Sequence, residues 1–359
     1  MKKWLKIGSG VLVGCALAAA GILVSLLPPR VTSAKPRPQP TFNSNAWVAS
    51  WDAKNGIKEG KQISSQLNSL SYFGGALDSE GNVIVLGPAR QFRKEAFPRY
   101  KVTVKKYLTV VNDVYENPED AKGQTKLKDT DLLQTLLADT AARKAHMDKL
   151  FAAVKEYGYD GLEIDYERVW RNPLVAYRYV KFIQELNQEA EEKKVPLRVI
   201  LEPEVPANTL VFPEGPEYVI MAYNLYGLHT TKPGPKADLA FVDKVMGKVQ
   251  NMPRPHSIAF ATGGCVWTEG EKPRFVTEKE AVALRKQLKT KPQRDEKSQA
   301  LVFRGKDKKG RQVEAWYADA QTLKAWKYRA LQQQTDGISL WRLGGNEKIR
   351  EYYPGMEQK

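Results

Sequence analysis

Strand-like apolar runs alternate with helix-like segments along most of the chain, and this alternation constrains the fold more than any other feature of the sequence. In the clearest unit, Asp139 or Thr140 begins a helix, Gly158 ends it, and a strand follows at once. The strands predicted in this way are Ala46–Trp51, Leu70–Ala76, Lys101–Val110, Tyr159–Tyr166, Leu197–Glu202, Glu217–Asn224, Ser257–Thr262 and Gly337–Trp341. Eight strands with helices between them predict an α/β fold, a closed (β/α)8 TIM barrel whose active site lies at the C-terminal ends of the strands.

An open doubly wound sheet is the alternative that the same alternation allows. Such sheets commonly bind phosphates at a glycine-rich loop that follows a strand. The glycine pair of Gly8-Ser9-Gly10 lies in the N-terminal segment, ahead of the predicted strands. The closed barrel is therefore the better prediction.

One segment, residues 266–320, is too long for a barrel loop. It contains a helix pattern at Thr277–Leu288 and a hairpin signal through Gly305–Gly310. We therefore predict a small inserted α+β subdomain before the last strand. The barrel domain then covers residues 46–350, and residues 351–359 form a C-terminal tail.

The N-terminal 34 residues have the pattern of an export signal. Three lysines precede the uncharged stretch Ile7–Leu27, which suits a signal peptide and is also long enough to cross a bilayer. Residues 1–34 are predicted to be a cleaved signal peptide or a retained membrane anchor, and the proline-rich residues 35–45 a linker. We expect an exported protein that is extracellular, wall-associated or anchored on the outer face of the membrane.

Charge and composition narrow the classes of partner. The 359 residues include 56 Lys plus Arg and 41 Asp plus Glu, a net charge of +15 that attracts anionic polymers or surfaces. The segment 285–311 alone has eleven basic and three acidic residues, and it is predicted either to be a solvated hairpin or to contact anionic wall polymer. Nucleic acid is not an expected partner of an exported protein, and we expect a monomer.

Cysteine and histidine are too few for several kinds of site. Two Cys and three His exclude a disulfide-stapled scaffold and disfavour a Cys/His zinc site. We expect no metal and no cofactor. Cys265 is predicted to be a small buried side chain, and each histidine to be structural.

Acidic residues alternate with apolar ones in the strand after Gly158. Because successive side chains of a strand point to opposite faces, Glu163, Asp165 and Glu167 share one face, and three apolar residues share the other. The apolar face suits packing against the helix layer. The three acids are therefore predicted to face the barrel axis.

Neighbouring acids in a partly desolvated interior cannot all ionise, so one is predicted to stay protonated near neutral pH. Glu167 lies nearest the open mouth and is the candidate proton donor. The alternative is structural, since an acid row can pair with Lys or Arg across a sheet. The apolar opposite face and the presence of Gly161 favour the catalytic interpretation.

The motif Asp160–Glu167, Asp-Gly-x-Glu-x-Asp-x-Glu, resembles the signature of glycoside hydrolase family 18, the chitinase-like family, in which it lies on the fourth barrel strand. Two other segments are similar to family elements. Met221–Asn224 resembles an element of the family's sixth strand, and Gly337–Trp341 resembles its last strand, whose Trp lies beneath the sugar in the family's substrate site. Residues 314–320 resemble the end of the family's inserted subdomain. The resemblance covers roughly residues 46–350, with the motifs in matching order.

The resemblance implies a mechanism in which the substrate's own 2-acetamido oxygen is the nucleophile. Glu167 would protonate the glycosidic oxygen. Asp165 would hold the acetamido N–H and stabilise the oxazolinium intermediate, while Tyr223 would fix the acetamido oxygen for attack. Trp341 would stack on the sugar, or serve as a core residue instead. Only a sugar with N-acetyl at C2 reacts in this way.

Two positions depart from the family's usual residues. Glu163 and Asn224 each stand where Asp is common, and both are predicted to line the substrate site. Glu202 and Trp51, at the ends of the fifth and first strands, are further candidates for substrate contact. A place in the core or at the rim is an equally good interpretation of these two.

These features predict an exported, retaining glycosidase that hydrolyses β-linked N-acetylglucosamine in a glycan. Peptidoglycan is the preferred substrate, because a tethered basic body with no chitin-binding or lysin-motif module suits the cell's own anionic wall. Chitin or chito-oligosaccharide is the enzymatic alternative. The other class is a non-catalytic carbohydrate-binding protein, which typically lacks the terminal acid that Glu167 supplies here.

Overall fold

The predicted strands close into a parallel barrel in the computed structural model, which describes residues 42–87, 104–116 and 124–352. The described strands are β1 (Asn43–Ala49), β2 (Ser69–Leu77), β3 (Val83–Val85), β4 (Lys105–Tyr115), β5 (Gln124–Lys126), β6 (Gly161–Asp165), β7 (Leu197–Leu201), β8 (Glu217–Met221), β9 (His256–Ala261), β10 (Gly263–Thr268), β11 (Arg274–Val276), β12 (Gln293–Arg294), β13 (Leu301–Lys306), β14 (Gln312–Ala318) and β15 (Gly337–Leu343). Eight of them pair in parallel in the order β1-β2-β4-β6-β7-β8-β9-β15, and β15 closes the barrel on β1. The predicted (β/α)8 barrel is confirmed.

Helices connect the barrel strands. Those described are α1 (Ala53–Ile63), α2 (Thr130–Leu136), α3 (Thr140–Tyr157), α4 (Pro173–Lys193), α5 (Leu239–Val249), α6 (Glu278–Gln287), α7 (Ala320–Leu331) and α8 (Ile349–Tyr352). Local chemistry determines their ends: the Asp139 carboxylate accepts from the Ala142 N–H at the start of α3, and Gly158 ends that helix with φ 70°. Asn172 caps α4 in the same way, directly before Pro173.

Strand β6 divides its side chains between two environments. Leu162 and Ile164 are fully buried in the large apolar cluster that also contains side chains of α3 and α4. Glu163 and Asp165 lie on the opposite face of the strand, toward the barrel interior. Packing of the apolar face against the helices thus carries the acids inward.

A second, antiparallel sheet is inserted in the chain between β9 and β15, with the strand order β11-β10-β14-β13-β12. Helix α6 belongs to this insertion and begins at a capping box formed by Thr277 and Glu280. The predicted α+β subdomain before the last strand is therefore confirmed. Its first strand begins at Gly263, three residues before the expected boundary at 266.

Two predicted domain boundaries shift slightly. Because β1 begins at Asn43, residues 43–45 belong to the barrel rather than to the linker, and α8 includes the first two residues of the predicted tail. The predicted leader, residues 1–34, lies outside the described residues. In the part of the chain that the structure describes, no helix is both long and apolar enough to cross a membrane.

Candidate active site

Acidic and aromatic side chains gather where the C-terminal ends of the barrel strands meet. Asp165 is the last residue of β6, and Glu167 follows two positions later. Glu202 directly follows β7, Tyr223 lies two positions beyond β8, and Trp341 lies near the end of β15. The closed barrel therefore brings candidate residues from four strands together at one opening.

Glu163 lies within the barrel and has an exposed fraction of 0%. It accepts hydrogen bonds from Thr109 Oγ1 at 2.6 Å and Ser71 Oγ at 3.1 Å, and also from the Trp47 indole and the Arg198 guanidinium. Hydrogen bonds from protein groups thus use the acceptor capacity of the carboxylate. The prediction that Glu163 contacts substrate does not fit this position. The structural alternative, an acid paired across the sheet, describes this residue.

Arg198 is the cation that makes this pairing possible, and it was not identified from the sequence. It lies on β7 directly opposite Glu163 in the strand register and has no exposed surface. Its guanidinium also contacts Glu217 at 3.1 Å and donates to Ser339 Oγ at 2.7 Å. A lone arginine in the apolar run Leu197–Leu201, next to the acid strand, was the signal that could have revealed it.

Asp165 is almost completely buried, with an exposed fraction of 7%. Its Oδ1 atom has no hydrogen-bond partner among the described residues. Burial first, and then the negative charge of Glu167, raise the pKa of Asp165 well above its usual range. The structure therefore favours Asp165 as the protonated acid, whereas the sequence analysis placed the retained proton on Glu167.

Glu167 lies at the mouth and is held there through its backbone and its side chain. Its backbone N–H donates to Asn112 Oδ1 at 2.9 Å, and the Asn112 amide donates to the Glu167 carbonyl oxygen at 3.1 Å. The Lys128 ammonium donates to Glu167 Oε2, and the two side chains are 31% and 22% exposed. Glu167 is therefore held in a contact with Lys128 that solvent can reach. Neither Asn112 nor Lys128 had been identified from the sequence.

Glu202 lies close to this pair. Its carboxylate accepts from the Arg168 backbone N–H at 2.6 Å. Burial first, and the charge of Glu167 second, raise the pKa of Glu202 to about 7. Glu202 thus belongs to the same electrostatic group as Asp165 and Glu167.

Tyr223 and Asn224 lie side by side in the chain but in different environments. Tyr223 is buried, and burial followed by the charges of Asp165 and Glu167 raises the pKa of its hydroxyl. The hydroxyl therefore remains a hydrogen-bond donor next to the acids. Asn224 is exposed and has φ 64°, a left-handed conformation that asparagine tolerates better than most residues.

Aromatic rings form one side of the opening. Trp341 packs edge-on against Phe73, with ring centroids 4.7 Å apart, and against Trp47 at 6.0 Å. Trp51 is 58% exposed and lies 6.2 Å from Trp341. Apolar ring surface of this kind suits the faces of a sugar. Phe73 and Trp47 were not identified from the sequence.

The remaining candidate groups have structural positions. Cys265 is buried, and burial raises the pKa of its thiol to about 11. His146 is buried, contacts the Tyr166 hydroxyl at 2.7 Å, and has its pKa lowered to about 4 by burial. Within residues 42–87, 104–116 and 124–352, no three His, Cys, Asp or Glu side chains form a group that could hold a metal ion.

Comparison with known proteins agrees with the barrel and its motifs. Residues 123–346 match the family model described as Glycosyl hydrolases family 18. The chain is 23% identical over 235 residues to a Bacillus subtilis (strain 168) protein named "Uncharacterized glycosylase YvbX", covering 61% of this chain and 67% of that protein.

Solved structures share the fold. The spore cortex-lytic enzyme SleL of Bacillus cereus superimposes with a TM-score of 0.71 at 18% identity, covering 90% of this chain and 76% of SleL. A chitinase from Chromobacterium violaceum gives 0.72 at 16% identity, covering 88% of this chain and 100% of the chitinase. At these identities the likeness concerns the fold.

Proposed function

The chain belongs to glycosyl hydrolase family 18 and is a glycoside hydrolase, and we propose that it is exported and hydrolyses β-linked N-acetylglucosamine in a glycan. Peptidoglycan is the proposed main substrate, and the reaction retains the configuration at C1. The observation that carries the proposal is the pair formed by Asp165 and Glu167: a buried carboxyl that favours its protonated form lies beside a carboxyl group at the mouth that solvent can reach. Such a pair holds a proton and offers a place to deliver it.

The first chemical step uses this proton. Asp165 transfers it to Glu167, which passes it to the glycosidic oxygen as the bond from C1 to that oxygen breaks. The acetamido oxygen of the same sugar attacks C1, so the positive charge resides on an oxazolinium ring. Asp165, now a carboxylate, accepts a hydrogen bond from the ring N–H and stabilises the cation.

The second step returns the enzyme to its starting state. Glu167, now a carboxylate, takes a proton from water as the water oxygen attacks C1 and the oxazolinium opens, and this proton then passes back to Asp165. Tyr223 donates its hydroxyl hydrogen to the acetamido oxygen throughout and keeps that atom in line with C1. Trp341 provides the surface on which the sugar stacks, with Trp51 as its exposed extension.

Substrate charge supports peptidoglycan over chitin. Peptidoglycan has carboxylates on its stem peptides, whereas chitin is neutral, and the chain has a net charge of +15. Among the fold relatives, SleL is named as a spore cortex-lytic enzyme, and the Chromobacterium violaceum protein as a chitinase. Chitin hydrolysis is therefore the alternative activity, and it uses the same residues.

The test is mass spectrometry of products released from purified peptidoglycan and from chitin. We expect wild-type protein to release peptidoglycan fragments with N-acetylglucosamine at the reducing end. Glu167→Gln should lower kcat on any cleaved substrate by at least about 100-fold, because general acid catalysis typically contributes that much. A thiazoline analogue of the oxazolinium should inhibit the wild-type enzyme.

Glu204→Gln is the matched control, since Glu204 is an exposed glutamate two positions from Glu202. It should leave turnover unchanged. Equal turnover by wild type and Glu167→Gln would remove the acid assignment, and absence of thiazoline inhibition would remove the substrate-assisted step. Fragments ending in reducing N-acetylmuramic acid would show that the enzyme cuts the other bond.

A further inference from the structure

We propose that Lys128 binds a carboxylate of the glycan, and that this exchange of partners releases Glu167 to accept the catalytic proton. The inference rests on the proposed function and deepens it, because it makes an acidic glycan the preferred substrate. It concerns a contact at the mouth that the chemistry described above does not use.

The contact itself is an ion pair that a substrate can reach. The Lys128 ammonium and the Glu167 carboxylate are bonded to each other, yet 31% and 22% of the two side chains is exposed. The Lys128 backbone is held in place, because its N–H donates to Asp113 Oδ1 at 2.8 Å and its φ is 54°. The side chain is therefore the part of this residue that is free to change partners.

The ion pair opposes the reaction as it stands. The Lys128 ammonium occupies Glu167 Oε2, whereas the first step requires the Glu167 carboxylate to take up a proton and pass it to the glycosidic oxygen. Partly exposed ion pairs contribute little to stability, so a second carboxylate can compete for the ammonium. Release of Lys128 is thus both necessary for protonation and energetically accessible.

The surrounding acids respond in the same direction. The positive charge of Lys128 lowers the pKa values of both Asp165 and Glu202, opposing the stronger effects of burial and of Glu167. When a substrate carboxylate neutralises Lys128, these acids hold protons more readily. The acid group then retains its proton more firmly while an acidic glycan is bound at the mouth.

Peptidoglycan offers the required anion in two forms, and chitin offers neither. Intact peptidoglycan has carboxylates on its stem peptides, because the lactyl carboxyl of muramic acid is used in the amide bond to the peptide. Amidase treatment removes the peptide and exposes the lactyl carboxylate, which lies on the sugar ring itself. Neutral N-acetylglucosamine oligomers serve as the third substrate.

The experiment measures kcat/KM on these three substrates for wild type, Lys128→Met, Lys128→Arg and Lys126→Met. Lys126 is the matched control, since it is an exposed lysine two positions away that pairs with Asp129 and Asp131. Lys128→Met should lose about tenfold on whichever acidic substrate Lys128 binds, the equivalent of one charge-assisted hydrogen bond. On the neutral oligomer it should gain activity, because no substrate carboxylate draws Lys128 away from Glu167 there. Lys128→Arg should retain the preference, and Lys126→Met should match wild type.

The acidic substrate that shows the loss identifies the carboxylate. Loss on amidase-treated glycan indicates the lactyl group, and loss confined to intact peptidoglycan indicates the stem peptide. Equal loss on acidic and neutral substrates would overturn the inference, since Lys128 would then only shape the site. The proposed function fails separately, if wild-type enzyme cuts the neutral oligomers but neither form of peptidoglycan.

Discussion

At the scale of the single residue, the position of Glu167 depends on a side chain from the neighbouring strand. Asn112 of β4 is fully buried and bonds both the backbone N–H and the backbone carbonyl of Glu167. Strand β6 has ended by that point, so regular sheet pairing no longer holds the chain. Asn112 therefore acts as a positioning residue, because it fixes the origin from which the Glu167 side chain extends.

Substitution of this asparagine should impair turnover rather than binding. We expect Asn112→Ala to lower kcat by about 10- to 100-fold, as a displacement of about 1 Å does for a catalytic group. KM should change by less than about twofold, because the aromatic surface at Trp341 and Trp51 is intact. Steady-state kinetics on a soluble substrate provide both values. Asn251→Ala removes an exposed asparagine as the control, and a rise in KM with kcat unchanged would contradict the positioning role.

At the scale of the element, the barrel strands could be predicted because each is a short apolar run between local stop and cap signals. The inward direction of Asp165 could be predicted for the same reason, since alternation along a strand is a local property. The partners of the acids could not, because Arg198 and Lys128 come from other elements and meet the acids only through strand register and loop path. The location of the proton depends on burial, which the sequence alone does not report.

Short elements were also missed. Strands β3 and β5 have three residues each and pair antiparallel to β2 and β4, beyond the reach of a periodicity argument. Each pairs with the strand directly before it in the chain, but three residues are too few to show the alternation that identifies a strand. The insertion was predicted because its helix and hairpin have local signals, such as the Thr277 cap.

Helix α6 of the insertion also contacts the loop that follows β15. Glu278 in its first turn is buried and accepts from the Glu347 backbone N–H at 2.9 Å. Burial is the main cause that raises the pKa of Glu278 to about 7. The insertion and the end of the last barrel strand are therefore joined through a carboxyl that titrates near neutral pH.

This contact predicts how stability depends on pH. The pKa of Glu278 is about 7 in the folded chain and 4.5 as its ordinary value, so between these values the folded state binds more protons than the unfolded state. The stabilisation that protonated Glu278 gives the folded state is fully present below about pH 4.5 and is lost as the pH rises through about 7. The free energy of unfolding of the wild-type protein should fall by on the order of 3 kcal/mol between pH 4.5 and 8 because of Glu278, and Glu278→Gln should abolish this fall. Urea unfolding at a series of pH values measures this free energy, and substitution of the exposed Glu296 by Gln is the control. If Glu278→Gln has the same pH dependence as wild type, Glu278 is not the titrating group.

At the scale of the whole molecule, the positive charge of the insertion divides into two parts. Three of its arginines are engaged in ion pairs: Arg294 with Asp319 at 2.7 Å, Arg304 with Glu314 at 2.7 Å, and Arg311 with Asp307 at 2.8 Å. The lysines of the segment 285–311 are exposed: Lys286, Lys289, Lys291, Lys297, Lys306, Lys308 and Lys309. The arginines therefore stabilise the sheet, while the lysines present positive charge to solvent. Of the two expectations for this segment, solvated hairpin or polymer contact, we propose the second.

Retention on an anionic wall should depend on these lysines. We expect the triple variant Lys286→Gln, Lys289→Gln and Lys291→Gln to bind purified cell walls about fivefold to tenfold more weakly, because each exposed ion pair contributes up to about 1 kcal/mol. The difference should shrink as salt rises from about 0.05 M to 0.5 M, since the screening length falls below the separation of surface charges. Cosedimentation measures the bound fraction, and kcat on a soluble substrate should not change. The matched variant replaces Lys54, Lys58 and Lys61 on α1 and loses the same charge. If both variants lose equal binding, retention reflects net charge alone and the insertion has no special role.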